Sequence, residues 1–269
     1  MQIEQVPIDK LEPPTYFKQN EFTGGFQMLT DSYSVPIYKE INPAMYTIIT
    51  FPFLYGIMYG DIGHGSVLLF VATVLLCFGA RLVRLSPDMK AVYEFRYVLF
   101  MMAFFSVFCG LMYNDFMSIP LNLFDSCYNP KNGVRKDPDC VYPMGIDPIW
   151  YGTKKELIFL NSFKMKFAVI VGVLHMVLGL IQKALNANYF KDRNKLLHEF
   201  CPQIIFLLVV FGYMDTLIVI KWLTNYKGHE DEAPSIIVTV VNYFLKGGEI
   251  VGREFFPYNS AVSQFLLGK

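Results

Sequence analysis

The sequence is poor in charge and poor in cysteine. Only 17% of its 269 residues are Asp, Glu, Lys or Arg, against about 25% in soluble domains. The 23 basic residues are cancelled by 23 acidic ones. Zero net charge excludes a nucleic-acid binder that works through bulk positive charge. So few charges on so apolar a chain exclude a disordered protein and most soluble enzymes. Five cysteines are too few for a disulfide scaffold. The first twenty residues are polar and hold no apolar run of the secretory-signal kind. C-x-x-C, H-E-x-x-H, G-x-S-x-G and N-x-S/T are absent, and residues 247–253 fail the phosphate-loop spacing. The sequence therefore offers no nucleotide, cofactor or metal site. What it has is apolar bulk: 54% hydrophobic residues and a mean hydropathy of +0.35.

That bulk is organised in runs. A helix crossing a bilayer needs roughly 20 mostly apolar residues. Five stretches qualify, at residues 44–59 (short, with Pro52 inside), 62–80, 95–116, 163–185 and 200–223. A briefer run at 236–245 predicts an interfacial helix or one packed on the bundle, and 261–267 reads as the start of a sixth, truncated span. A chain closing on Gly268-Lys269 in mid-pattern is expected to be a piece of a longer one. The fold class is thus all-α, a polytopic transmembrane helix bundle. Residues 1–43 read as a cytosolic connector and 44–269 as the first part of a transmembrane domain. Arg81, Arg84, Lys90 and Arg96 follow the second span, and Lys183, Lys191, Arg193 and Lys195 follow the fourth. The positive-inside rule puts both basic loops, and with them the N-terminus, on the cytosolic side.

Polar residues within the runs are the functional candidates. Gly60-Asp61-Ile62-Gly63-His64-Gly65 joins the first two spans. Its glycines free backbone groups that must be buried in protein or meet water. Asp61 and His64 can pair with each other, as a turn whose carboxylate caps the second span, or they can handle protons. Gly56 and Gly60 form a G-x-x-x-G pair that allows close helix approach. In the fourth span Asn161, Lys164, Ala168, Gly172, His175, Gly179, Gln182 and Asn186 fall within an arc of about 80°. This small and polar stripe is expected to face the bundle, as packing through Gly172 and Gly179 or as the lining of an ion path. Lys166 lies on the opposite face. Lys221, beside Trp222, reads as an interfacial anchor. Asp215 lies deeper in the fifth span and reads as a bundle-facing polar residue, with His175 or a group outside this sequence as candidate partner. Asn114-Asp115 ends the third span and is expected at the surface. An oxidising lumen would permit a bridge between Cys127 and Cys140.

Ordered blocks of the sequence carry a family resemblance. They include Phe17-Lys18-Gln19-Asn20-Glu21-Phe22-Thr23, Asn42-Pro43-Ala44, Phe51-Pro52-Phe53 and residues 60–65. Leu111-Met112-Tyr113-Asn114-Asp115, residues 142–148, Asn161-Ser162-Phe163-Lys164-Met165-Lys166, Phe211-Gly212-Tyr213, Lys221-Trp222 and Ala233-Pro234-Ser235 continue the run. In this order and spacing the chain resembles the large membrane subunit a of eukaryotic vacuolar-type proton ATPases. The resemblance implies a static subunit of the membrane (Vo) sector, supporting proton translocation beside a rotating ring of proteolipid subunits, while other subunits hydrolyse ATP. It implies a bilayer-embedded protein of acidic organelles (vacuole, lysosome, endosome, Golgi) or the plasma membrane. A preceding cytosolic domain would reach the peripheral stalk, and later spans would hold the ring-facing arginines. Asp61, Lys166 and Lys221 match charged family positions associated with transport or assembly. His64 and His175 match family histidines, whereas Asp215 replaces a small or apolar residue. Two other classes remain open: a self-contained channel or secondary transporter, and a membrane enzyme using Asp61 and His64 as an acid–base pair.

Overall fold

The computed structural model describes residues 15–86, 88–129, 136, 140–151, 153, 156–223 and 235–245. Among these, eight helices account for the architecture: α1 (Glu21–Asp31), α2 (Ala44–Met58), α3 (Ile62–Leu85), α4 (Met89–Glu94), α5 (Arg96–Tyr113), α6 (Glu156–Tyr189), α7 (Arg193–Leu223) and α8 (Ile236–Leu245). Four of them, α3, α5, α6 and α7, are long and apolar enough to cross a membrane, and α2 is a shorter apolar helix. Among the described residues the fold is all-α, as read from the runs, with four of the five expected spans long enough to cross a membrane and the first one shorter. The truncated sixth span at 261–267 lies outside the described residues.

The chain divides into two compact units, Met1–Ala168 and Val169–Lys269, with α6 contributing to both. In the first unit α5 is the central element, and α2 and α3 both pack along it. Glycine makes this contact close. A Cβ on Gly56 would stand 2.6 Å from the Phe105 carbonyl oxygen. One on Gly60 would stand 2.7 Å from the Tyr113 ring, and one on Gly110 2.5 Å from the Ile62 amide nitrogen. Side chains of α5 also serve the end of α2, whose last carbonyls have no partners within their own helix. Ser106 Oγ donates to Tyr59 O at 2.5 Å, and the Tyr113 hydroxyl donates to Ile57 O at 3.0 Å.

The connector is more than a strand of loop. Asn20 opens α1 and donates its N–H to Thr23 Oγ1 at 2.9 Å. The helix then buries Phe26 completely. Arg96, counted above among the loop cations, is buried at the start of α5. Its guanidinium pairs with Glu21 at 2.8 Å and lies over the rings of Tyr93 and Tyr97, at 4.0 and 4.6 Å. A second tie runs from Asp31 through Gln27 to Asn42, whose Oδ1 caps the Ala44 amide at 3.0 Å. The connector thus docks on the membrane helices through one ion pair and one amide relay.

In the second unit α8 packs on α7 through Leu217, Ile218 and Ile236, with Ile170 of α6 against the same cluster. α7 begins at Arg193, seven residues before the span read from the sequence, because a π-wound turn at Leu196–Phe200 precedes Pro202. Proline has no N–H for the helical ladder and crowds the preceding turn. The wider π turn absorbs that mismatch without ending the helix. The stripe on α6 does not pack as expected. Within the second unit nothing lies within 4 Å of a Cβ built at Gly172 or Gly179, and His175 is exposed.

These two sets of glycines predict opposite outcomes. Gly110→Ala forces two backbones apart and should cost about 1–3 kcal/mol. Gly172→Ala and Gly179→Ala should leave stability unchanged or raise it by up to about 1 kcal/mol. Melting temperatures of the detergent-purified variants check both.

A polar node as candidate functional site

The node forms where the C-terminal ends of α2 and α5 meet the N-terminal end of α3 and the first turns of α6. Its frame is backbone. α5 ends on Asn114 in the left-handed region (φ 55°), and the Asp115 amide closes the helix on Gly110 O at 3.0 Å. Asparagine is the best substitute for glycine at such a cap. Here its side chain does further work: Nδ2 donates to Leu121 O and Ile146 O, at 3.0 and 3.1 Å, and Oδ1 accepts Leu121 N–H. Asn114 is 1% exposed. The surface position expected for Asn114-Asp115 is therefore corrected, because a cap that fastens two loop segments, at Leu121 and Ile146, must be enclosed by them.

Asp61 caps α3. Its Oδ1 accepts the amides of Gly63 and Met117, at 2.8 and 3.0 Å, and its other oxygen contacts His64 Nδ1. The Ile62 amide, left over at the start of α3, donates to Asp115 O at 2.9 Å. Burial alone pushes the Asp61 carboxyl up. The Met117 amide, the His64 ring and the Gly63 amide outweigh it and hold the group below the usual carboxylate range. The His64 ring remains over half exposed.

Asp115 is the second carboxylate. Lys164 Nζ donates to its Oδ2 at 2.8 Å, while Oδ1 accepts the Ser118 amide. Both partners are largely enclosed, and the ammonium also lies 4.9 Å above the Tyr113 ring. Tyr151 completes the group by donating to Tyr113 O at 3.0 Å. Burial, followed by the charges of Asp115, Glu156 and Asp61, pushes its phenol far up, so it stays a donor at neutral pH. Two carboxylates, one ammonium and one accessible imidazole thus share a rigid frame. The frame can hold charge beside an imidazole that faces outward.

Asp147 anchors the loop above the node. It accepts Ser126 Oγ at 2.7 Å and the Cys127 amide at 3.0 Å, and caps the short turn Pro148–Trp150 through Ile149 N–H. Cys127 and Cys140 are joined by a disulfide with a Cα–Cα distance of 5.7 Å. Among the described residues no cluster of three His, Cys, Asp or Glu could hold a metal ion.

The structure brings together Asp61, His64 and Lys164, with Gly60 against Tyr113. It does not bring Lys166 into an ion pair among the described residues. His175 and Asp215 do not pair: the ring is exposed, and Asp215 Oδ1 is buried with no hydrogen-bond partner among the described residues. Lys221 lies in the last turn of α7 beside the exposed Trp222. Asp115, Asn114, Tyr113 and Tyr151 were not singled out from the sequence as members of a site. The signal for Asn114 was its place just past an apolar run, where a left-handed cap belongs. Nothing local could pair Asp115 with Lys164, 49 residues away.

Residues 1–268 match the family model described as V-type ATPase 116kDa subunit family. The chain is 40% identical over 267 residues to the vacuolar proton translocating ATPase 100 kDa subunit of Dictyostelium discoideum, covering 95% of this chain and 33% of that protein. It is 39% identical over 277 residues to V-type proton ATPase subunit a3 of Arabidopsis thaliana, covering 98% and 33%. Against the human V-type proton ATPase 116 kDa subunit a 4 it is 40% identical over 262 residues, covering 88% and 31%. The chain thus spans about a third of the length of these relatives.

Asp61→Asn should weaken the cap and its two amide bonds, destabilising the protein by roughly 1–2 kcal/mol at neutral pH. Because the folded-state carboxyl titrates low, its contribution is complete above the ordinary carboxylate range and is lost as pH falls through the lowered value. The gap in melting temperature between wild type and D61N should be open at about pH 5 and close as pH falls below about pH 4.

Proposed function

Because the chain belongs to the V-type ATPase 116 kDa subunit family, we propose that it is part of the static, non-catalytic membrane subunit of a rotary proton pump. The family match over residues 1–268 carries this reading. The subunit stands beside a ring of proteolipid subunits in the membrane sector, reaches peripheral stalk subunits through a cytosolic domain, and serves acidic organelles with the N-terminal side of this chain in the cytosol. ATP is hydrolysed by other subunits.

Within that assembly the node braces helices on the non-cytosolic side. Asp61, Asp115, Lys164 and Tyr151 are positioning residues there, and His64 is the group of the node best exposed to exchange protons with water. Lys166 and Lys221 support the structure near the interface. Arg96 fastens the connector, so force on the cytosolic domain reaches α5 through Glu21. The small-residue face of α6, open within its own unit, fits a bundle completed by other parts of the complex.

The test uses the full-length protein in its complex. Lys164→Met strands a largely enclosed carboxylate and should lower the assembled complex at least about tenfold. D115N/K164M, which removes both charges, should recover most of it. Purified complex should contain the proteolipids, and each assembled double-variant complex should acidify vesicles within about twofold of wild type. Full assembly with abolished pumping would make the node a proton relay instead of a brace. Proton currents from this chain reconstituted alone would favour a self-contained channel.

A further inference from the structure

The turn between α6 and α7 concentrates exposed cations. Lys191, Arg193 and Lys195 stand within five residues, with Asp192 the one acid among them. That acid is already engaged: Oδ1 accepts the Lys195 amide at 3.2 Å, and Oδ2 lies 3.9 Å from Lys195 Nζ. No carboxylate among the described residues pairs with Lys191 or Arg193.

The turn is also rigid. Lys191 N–H donates to Asn188 O at 3.1 Å and Asp192 N–H to Ala187 O at 3.0 Å, the paired bonds of a left-handed helix cap. Lys191 occupies the left-handed position (φ 56°), which favours glycine. A lysine is therefore kept where the backbone alone would prefer no side chain. Just below, Lys183 clamps the two helices by reaching Glu199 at 2.8 Å and Gln203 at 3.1 Å.

The surroundings set the level of the turn in a membrane. The helices that meet here each have 31 apolar-rich residues, Phe159–Tyr189 and Arg193–Leu223. At about 1.5 Å per residue each exceeds a hydrocarbon core of about 30 Å, so their shared end reaches the headgroups. Tyr189 and Phe190, edge to face at 5.3 Å, and Leu197 are exposed beside the cations. Aromatic rings next to lysine and arginine at a span end mark the membrane–water boundary.

We propose that this turn binds the headgroup of an anionic phospholipid. Lys191 and Arg193 receive the phosphate, Arg193 through its forked donors. Lys195 adds attraction, and Tyr189, Phe190 and Leu197 lie among the acyl chains. The inference rests on the chain being embedded in a bilayer and is independent of any role in proton transport.

The test places the full-length protein, in its complex, in nanodiscs of phosphatidylcholine with or without photoactivatable phosphatidylserine. Crosslinks are mapped by mass spectrometry. The adduct should fall within residues 189–197 and weaken as salt is raised. Each cation removed should cost about fivefold in lipid affinity, so K191Q/R193Q/K195Q should lose about a hundredfold. R81Q/R84Q, at the C-terminal end of α3, should label like wild type at this turn. Lys191→Gly suits the left-handed backbone and should raise thermal stability while still costing about fivefold in labelling, which separates the role from folding. Equal labelling of the triple variant and wild type would overturn the proposal. So would equal labelling by photoactivatable phosphatidylcholine, or full displacement by inorganic phosphate, which would indicate a free-anion site.

Discussion

A helix that ends away from water leaves donors and acceptors that its own ladder cannot satisfy, and the first unit is organised around that constraint. Three helix ends converge near Asp115. The last carbonyls of α2 are met by Ser106 and Tyr113, the first amides of α3 by Asp61 and the Asp115 carbonyl, and the cap of α5 by its own closing turn and Asn114. No one of these helices could end where it does without the others. The glycines follow from the same requirement. Side chains as short as serine, and a backbone carbonyl as donor's partner, reach across only if the helix axes are close. Gly56, Gly60 and Gly110 remove the atoms that would hold them apart.

Charge enters this frame under the same rule. An ammonium and a carboxylate removed from water are costly unless each finds full partners. Lys164 has the Asp115 carboxylate and the face of Tyr113, and Asp115 has Lys164 and the Ser118 amide. Asp61 takes two amides and an imidazole. The node is therefore charged and satisfied at once, with the His64 ring at its exposed edge.

What was legible in the sequence follows from how local each signal is. Hydropathy is summed along the chain, so the spans and the all-α class could be read directly, whereas helix ends could not: α3 runs on to Leu85, and α6 and α7 begin earlier than their apolar runs, at Glu156 and Arg193. Residues 60–65 announced a cap because glycine, aspartate and histidine sit within one turn. The stripe on α6 was a sound period, but a period gives a face and not its neighbour, and the face is open in its own unit. Lys164 belonged to that stripe and does face the bundle, but its partner is Asp115, 49 residues away, which no spacing rule could supply. α1 was read as connector because its polar composition hid Phe26, and Arg96 was counted as a loop cation because a buried arginine looks like any other until Glu21 and two tyrosines surround it.

The two kinds of lysine show how one residue type serves two solvents. Lys164 is largely enclosed and paired with Asp115 over the Tyr113 ring, so its charge acts on structure where three helix ends meet. Lys191 and Arg193 stand exposed at the tip of two long apolar helices, with no carboxylate among the described residues to answer them. In water such charges would be solvated and idle. At a membrane surface the solvent itself carries fixed negative charge, and a rigid turn that holds cations beside aromatic rings fixes both the depth of α6 and α7 and the lipids that surround them. The charges that the sequence uses so sparingly are therefore divided by environment: those inside bind the helices to one another, and those at the tip bind the helices to the bilayer.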